Sequence, residues 1–277
     1  MEHSSNRLPA GRKAAIIQQV NSLGQVSVAT LAKHFNVSLD TIRRDLDQLD
    51  TDGALIRTHG GAMSTFAVPW HDTRIDDRLR LQPQQKNVIA ELAADLVPDG
   101  TVLFINGGST ALHLIHELGS KRELIIATNN LRLASEINPD SCRDLYVFGG
   151  HVRISGQVTI GPIAFASSIS GTENDIRADL ALIAVGAFDE KGFSTSNLDE
   201  AAMLAQMAER AKRVAILADS SKAERRLFAS IGPLSIADYL VTDTLPTPRL
   251  LESLHSANIE VLTPAGTESD QSQSSDS

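Results

Sequence analysis

Between residues 12 and 62, apolar positions recur at helical spacing in three short blocks separated by polar or glycine punctuation. Ile16, Ile17, Val20 and Leu23 share one side of a first helix that starts near Arg12 and stops at Gly24. Ser27 is placed to cap a second helix whose inward face is Val28, Leu31, Ala32 and Phe35. Asn36-Val37 makes the tight connection, because asparagine tolerates the left-handed conformation a sharp turn needs. Ser38 then caps a third helix, with Leu39, Ile42, Leu46 and Leu49 inward and Asp40, Thr41, Arg43, Arg44 and Gln48 on the opposite face. Gly53 ends it, residues 54–58 read as a short strand, and His59-Gly60-Gly61 as the turn beside it. A longer helix, two short ones in close succession and a small β-ribbon predict a winged helix-turn-helix; a three-helix protein-interaction module shares the helical part of this pattern.

From residue 84 the rhythm changes. Val88, Ile89, Leu92, Ala93 and Leu96 form a helical stripe that ends at Pro98-Asp99-Gly100. Short apolar runs follow at 101–105, 124–128, 145–149, 180–185, 214–218 and 239–242, with helical segments at 111–118, 131–137, 200–212 and 248–257. Buried strands alternating with helices predict a mostly parallel α/β sheet. The expected organisation is a winged helix-turn-helix domain at 7–62, a partly helical linker at 63–83 containing Trp70, an α/β domain at 84–262, and a disordered tail at 265–277 built of Ser, Gln and Asp.

Charge sharpens this picture. The 277 residues carry 25 Lys+Arg against 34 Asp+Glu, a net of −9, which evenly spread would argue against nucleic acid. From Arg7 to Arg44, however, six basic residues face only Asp40. A basic patch on an acidic chain suggests a focused polyanion contact. Operator contacts are expected from Ser38, Thr41, Arg43 and Arg44 on the third helix, and from Arg57 and His59 in the wing. Arginine bonds guanine bidentately or holds phosphate, and threonine meets a thymine methyl or a phosphate oxygen. One cysteine, Cys142, excludes a disulfide framework and multi-cysteine metal sites; with no signal peptide the expected compartment is the cytoplasm, and no run of 18 uncharged apolar residues predicts a membrane span.

Ligands of parallel sheets sit beyond the C-terminal strand ends, and the residues there carry chemistry. Asn106-Gly107-Gly108-Ser109-Thr110 opens directly into a helix, offering N–H groups, a positive partial charge and hydroxyls to an anion. Thr128-Asn129-Asn130, Gly149-Gly150 and Asp219-Ser220-Ser221-Lys222 follow other strands. Donors plus a cation suit a phosphate, and Asp with Asn suits a polyol, so the combination points to a phosphorylated sugar. Each loop alone is equally a helix cap or a turn; their shared position at strand ends favours a site.

The run VSVATLAKHFNVSLDTIRRDLDQLDTDGALIRTHGGA at 26–62 resembles the signature of the DeoR family of bacterial transcriptional regulators. Leu31-Ala32, Val37-Ser38, the TIRRDL run at 41–46, Leu49, Gly53, Arg57 and HGGA at 59–62 carry the match. The order of the strand-end motifs over 84–262 resembles the DeoR-type sensor domain, whose fold is related to sugar-phosphate isomerases. The resemblance implies operator binding as a homo-oligomer, dimer or tetramer, modulated by a phosphorylated sugar and most often repressing a carbohydrate-use operon. By position it implies effector contacts at Gly108, Ser109, Thr110, Thr128, Asn129, Gly150, Asp219 and Lys222, with Glu200 nearby.

The alternative is an isomerase-like enzyme carrying a DNA-binding arm. The isomerase relatives hold paired acids in a D-G-A-D-E segment, followed by a lysine-glycine run. The matching stretch, VGAFDEKGFSTSNLDEAA from Val185, has Val185 and Phe188 at the acid positions (or Asp189 with a one-residue shift), Thr195-Ser196-Asn197 at the lysine-glycine run, and Glu200 as the surviving carboxylate. Without paired acids the expected role is binding without proton transfer. Gly107-Gly108-Ser109-Thr110-Ala111 lacks the last glycine of a nucleophile elbow. His113 and His116 read as ordinary helix-face histidines, Cys142 as a loop thiol, and the absence of GxGxxG predicts no dinucleotide cofactor; no metal is expected.

Overall fold

In the computed structural model, the cap residues set the first helices. Ser27 and Ser38 have extended backbones, and their hydroxyls accept from the N–H groups of Thr30 and Thr41, both at 3.1 Å. Each such cap contributes about 1 kcal/mol. The structure describes residues 9–23, 25–52, 54–58, 60–63, 74–163 and 176–264. Gly53, His59, Trp70 within 64–73, and the 265–277 tail lie outside these residues.

The first unit comprises α1 (Pro9–Leu23), β1 (Gln25–Ser27), α2 (Val28–Phe35), α3 (Leu39–Thr51), β2 (Ile56–Thr58), β3 (Gly61–Met63) and α4 (Ile75–Arg80). Asn36 takes the left-handed conformation between α2 and α3, at φ 52° and ψ 48°. The wing is an antiparallel sheet in the order β1-β3-β2. Gly61 is needed there, because a Cβ would sit 2.0 Å from the Val26 carbonyl oxygen. Ile16, Val20, Val26, Leu31, Ile42, Leu46, Leu49 and Leu55 form the buried core. Two expected core residues are not in it: Leu23, at the last turn of α1, and Leu39, at the first turn of α3, are 62% and 46% exposed. A helix end projects past the neighbours that would cover it.

The second unit opens with α5 (Pro83–Asp95), β4 (Val102–Ile105), α6 (Ser109–Glu117), β5 (Leu124–Thr128), α7 (Leu133–Glu136) and β6 (Cys142–Val147). A hairpin follows, β7 (His151–Arg153) and β8 (Val158–Ile160), then β9 (Ala178–Ala184), β10 (Ala187–Asp189), β11 (Gly192–Thr195) and α8 (Leu198–Glu209). The unit closes with β12 (Ala211–Leu217), β13 (Ala229–Gly232), β14 (Tyr239–Val241), α9 (Pro248–Ser256) and β15 (Glu260–Leu262). Seven strands form one sheet in the order β15-β14-β12-β9-β4-β5-β6, and every pairing in it is parallel. The chain builds outward from β4 to β6, returns to lay β9 on the other side of β4, and builds outward again. The order therefore reverses between β4 and β9, which makes a topological switch point. Helices α5 and α6 cover one face through Ile89, Ala90, Ala93, Leu114 and Ile115; α8 and α9 cover the other through Met203, Leu204, Met207, Leu250 and Leu254. Burial on both faces explains the continuous apolar runs of these strands.

Several expected boundaries shift. The third strand runs Cys142–Val147 rather than 145–149, so Cys142 begins an edge strand paired with Leu124 instead of lying in a loop. The helix expected at 200–212 is Leu198–Glu209, capped by the Asn197 side chain accepting from Glu200 N at 2.9 Å. Lys212 belongs to β12, whose pairing with β9 begins at Ala211 opposite Ala178 and prevails over helix propensity. The β7–β8 hairpin, the small antiparallel sheet β10-β11-β13 and β15 went unpredicted, their strands being too short to show a period.

Candidate functional site

The outer face of α3 presents Asp40, Arg43, Arg44 and Gln48 to solvent, with Thr41 half-buried beside them. The Ser38 and Thr41 hydroxyls bond each other at 2.9 Å, which fixes the first turn of the helix. Arg43 is held by Asp40 at 2.9 Å, whereas Arg44 forms no ion pair among the described residues. Arg57 differs from both. Its guanidinium bonds Asp47 at 3.0 Å and the Thr58 and Gly61 carbonyls at 2.7 and 2.5 Å, while its N–H donates to Asp50 at 2.7 Å. It clasps the wing to α3, so its role is to hold the β-ribbon in place. Arg12, counted in the basic patch, is buried and bonds Asp45 of α3 through Nε at 2.5 Å and a terminal nitrogen at 3.3 Å. The cationic surface is thus narrower than the charge count implied, and it centres on α3.

The second candidate site lies at the switch point. Asn106, at the end of β4, donates to the Ala184 carbonyl at 2.8 Å and accepts from the Ala184 N–H at 2.7 Å, tying the diverging ends of β4 and β9. Behind it, Gly107 and Gly108 lead into α6, whose first N–H groups have no intrahelical partners. Ser109 and Thr110 are buried in that first turn. Asn129 supports the loop from β5: its Oδ1 accepts from Gly107 N at 2.6 Å and its Nδ2 donates to Thr159 O at 2.8 Å. Thr128 is fully buried, its hydroxyl oxygen accepting from Asn130 N at 3.0 Å. Gly150 has φ +132°, and a Cβ there would lie 2.2 Å from the Ile160 carbonyl oxygen, so it permits the close approach of the β8 end.

Two strands along, Asp219 and Lys222 are both buried and 3.7 Å apart. Asp219 also accepts from Ser221 N at 3.1 Å and from the Ser221 hydroxyl. Beside it, burial pushes the Arg225 guanidinium down and the Asp219 charge opposes that shift. Glu200 accepts from the Thr195 hydroxyl at 2.9 Å and stands 3.7 Å from Arg153. Val185 and Phe188, at the positions of the isomerase acids, are buried in the core, and Asp189 pairs with Arg226 at 3.2 Å. Loops after β4, β5 and β12 thus share the C-terminal edge of the sheet. Asn129 and Gly150 are spent on the framework, while Ser109, Thr110, Asp219, Lys222 and Glu200 bring functional groups.

Sequence reading missed Lys86, in the first turn of α5, which is only 3% exposed. The available signal was position: it precedes Ile89, Ala90 and Ala93 on the buried stripe, where a lysine is out of place. It also missed that α5 meets α6 through a 2.5 Å bond between Asn87 Oδ1 and His113 Nδ1. Burial foremost, then the charges of Lys86 and His116, push the His113 imidazole down, with Glu136 opposing. Among the described residues, no group of three or more His, Cys, Asp or Glu is arranged to hold a metal, and no helix is long and apolar enough to cross a membrane.

Comparison with known proteins bears on both units. Residues 12–66 match the DeoR-like helix-turn-helix domain, and residues 81–244 match the DeoR C terminal sensor domain. The chain is similar to the HTH-type transcriptional repressor CsqR of Escherichia coli strain K12, with 32% identity covering 91% of this chain and 95% of that protein. It is 30% identical to the glycerol-3-phosphate regulon repressor of the same strain, over 90% of this chain and 97% of the relative. A solved structure, ribose 5-phosphate isomerase from Plasmodium falciparum, overlaps 50% of this chain and 52% of its own at 11% identity, with a TM-score of 0.35.

Proposed function

Because the chain belongs to the DeoR family of transcriptional regulators, we propose that it represses a carbohydrate-use operon and releases its operator when a phosphorylated sugar or polyol fills the sheet's switch point. It is a DNA-binding regulator rather than an enzyme. The domains are those read from the sequence: operator binding by 7–62, a linker at 63–83, and effector binding with oligomerisation by 84–262. In the operator complex, α3 enters the major groove with Thr41, Arg43 and Arg44 toward the bases and phosphates; Ser38 fixes the helix start, and Arg57 and His59 present the wing. Two such modules in a homodimer, or four in a tetramer, would read repeated half-sites. The setting is the cytoplasm, where both DNA and phosphorylated metabolites are found.

The observation that carries the effector reading is that the α6 N-terminus and the loops after β5 and β12 lie at one edge of the sheet, around its reversal of strand order. Backbone N–H groups from Gly108 to Thr110 and the Ser109 and Thr110 hydroxyls suit a phosphate. Thr128, Glu200, Asp219 and Lys222 suit the hydroxyls of a polyol, with Asn129 and Gly150 shaping the loops. A similar protein being named a glycerol-3-phosphate regulon repressor supports this ligand class.

Fluorescence anisotropy on the DNA upstream of the chain's own gene tests the proposal, at fixed salt because affinity for DNA falls steeply with salt. Tight binding, released by one sugar phosphate and not by its unphosphorylated parent, is the expected result. Specific binding that no phosphorylated sugar alters would overturn the effector assignment.

A further inference from the structure

We infer that the free edge of β6 is the surface on which two copies of this chain join, their β6 strands pairing antiparallel about a twofold axis at Leu145. The inference rests on the oligomerisation proposed above for residues 84–262 and names the strand that carries it.

The seven-stranded sheet has two margins, and they are built differently. At one, β15 buries Val261 and turns the charged Glu260 to solvent, which blunts that edge. At the other, β6 pairs with β5 on one side and with no described strand on the second. Its last two residues, Tyr146 and Val147, are 48% and 36% exposed. The hairpin that follows adds Val152 and Ile154, 46% and 78% exposed. An uncovered, apolar strand edge on a lone monomer is a template for uncontrolled pairing, so this margin calls for a cover.

Backbone direction says what fits there. Phe148 N donates to the Thr128 carbonyl at 2.8 Å, so alternation turns the main-chain groups of Asp144 and Tyr146 toward β5 as well. The N–H and C=O groups of Arg143, Leu145 and Val147 therefore face outward. These three residues are spaced symmetrically about Leu145. A second β6 laid antiparallel sets Leu145 opposite Leu145 and Arg143 opposite Val147, and every outward group then has a partner. The edge is its own complement.

Charge also favours a second copy at this margin. Residues 84–262 carry 15 Lys+Arg against 22 Asp+Glu, so two such units repel each other as whole bodies. Residues 142–153 hold Arg143, Asp144 and Arg153 and reverse that sign locally. Arg143 is moreover matched by Asp144 at 3.1 Å and by Glu123 at 3.8 Å, so the strand meets its copy without a like-charge clash. The margin is joined to the effector loops through the hairpin: the Thr159 carbonyl of β8 accepts from Asn129 at 2.8 Å, and Arg153 of β7 stands 3.7 Å from Glu200.

The test measures the mass of the full chain by light scattering over a dilution series. Wild type should self-associate. Val147→Lys places an ammonium directly opposite the Arg143 of the second copy, whereas Val147→Glu places a carboxylate there. Because the twofold repeats each pair, Val147→Lys should fall to half the wild-type mass at concentrations about tenfold or more above those that dissociate Val147→Glu. Unchanged far-ultraviolet circular dichroism shows that both variants are folded. Leu145→Cys in a Cys142→Ser background sets two Cβ atoms about 5 Å apart across the axis, and a short thiol cross-linker should join the two copies. Equal dissociation of Val147→Lys and Val147→Glu, or no cross-link through Leu145→Cys, overturns the inference while a self-associating wild type keeps the oligomer reading. A wild type that is monomeric at every concentration overturns both.

Discussion

Replacing Asp45 with alanine isolates the contact that orients the recognition helix. Arg12 and Asp45 are bidentate, at 2.5 and 3.3 Å, and each side chain is 9% exposed. The Asp45 hydrogen bond, more than the bare charge, pushes the Arg12 guanidinium up against the opposing effect of burial. Asp45→Ala leaves a buried guanidinium without its carboxylate, a change that costs about 3–5 kcal/mol. A unit of about 55 residues holds only roughly 3–8 kcal/mol in all at typical stability per residue. Most of its stability should therefore go, with α1 separating from α3. Hydrogen exchange on the intact chain reads this directly. Peptides from α1, α2 and α3 should exchange roughly 150- to 5,000-fold faster, while those from the seven-stranded sheet keep their protection. Because the pair is buried, the effect should be nearly insensitive to salt. The double substitution Arg12→Met with Asp45→Leu should recover most of the loss, since a packed apolar pair replaces a buried ionic one at little cost. Exchange within tenfold of wild type in Asp45→Ala would refute the reasoning.

On the surface of the same helix, Arg44→Ala should cost about 1–3 kcal/mol of operator affinity, and Arg43→Ala less, because Asp40 already occupies Arg43. Asp40→Ala should accordingly tighten operator binding, and unchanged affinity in all three variants would sink the assignment of α3. In the second unit, the lowered His113 means that the unfolded chain takes up a proton near pH 6.5 before the folded one does. Stability should therefore fall as pH drops from about 6.5, until the folded imidazole also protonates. His113→Gln should flatten the dependence of the thermal midpoint between pH 7 and pH 5; an identical slope would show that His113 is not its source.

Where periodicity is long, the sequence foretold the structure. The α2 and α3 stripes, their serine caps and the left-handed Asn36 follow from local rules that tertiary contacts do not disturb. The central strands were legible because burial on both faces leaves a continuous apolar run. Boundaries failed where pairing outvotes propensity: Ala211 and Lys212 look helical but belong to β12, which pairs with β9, and Cys142–Asp144 shows no period because β6 is a sheet edge. Elements of three or four residues, such as β7, β8 and β15, are too short to carry any pattern. At the sites, residue type was legible and assignment was not. Arg12 and Arg57 read as surface cations, yet one lies buried against Asp45 and the other clasps the wing to Asp47. Lys86 was invisible for the opposite reason, since a single lysine on an apolar stripe is ordinarily read as a break in the stripe.

The proposed effector role calls for binding without turnover. Moving a proton beside a carbonyl requires a carboxylate that can approach the carbon and a second group to return the proton. At the positions of the isomerase acids, this chain has Val185 and Phe188 packed into the core. The neighbouring Asp189 is drawn to Arg226, and Glu200 is held by the Thr195 hydroxyl near Arg153. None forms a facing pair of acids. For a regulator this is a functional requirement, because a ligand that is consumed as it binds cannot report its own concentration. A retained ligand can instead bias the operator-binding equilibrium by its difference in affinity between the two states. About 1–3 kcal/mol of such coupling changes operator affinity roughly 5- to 150-fold.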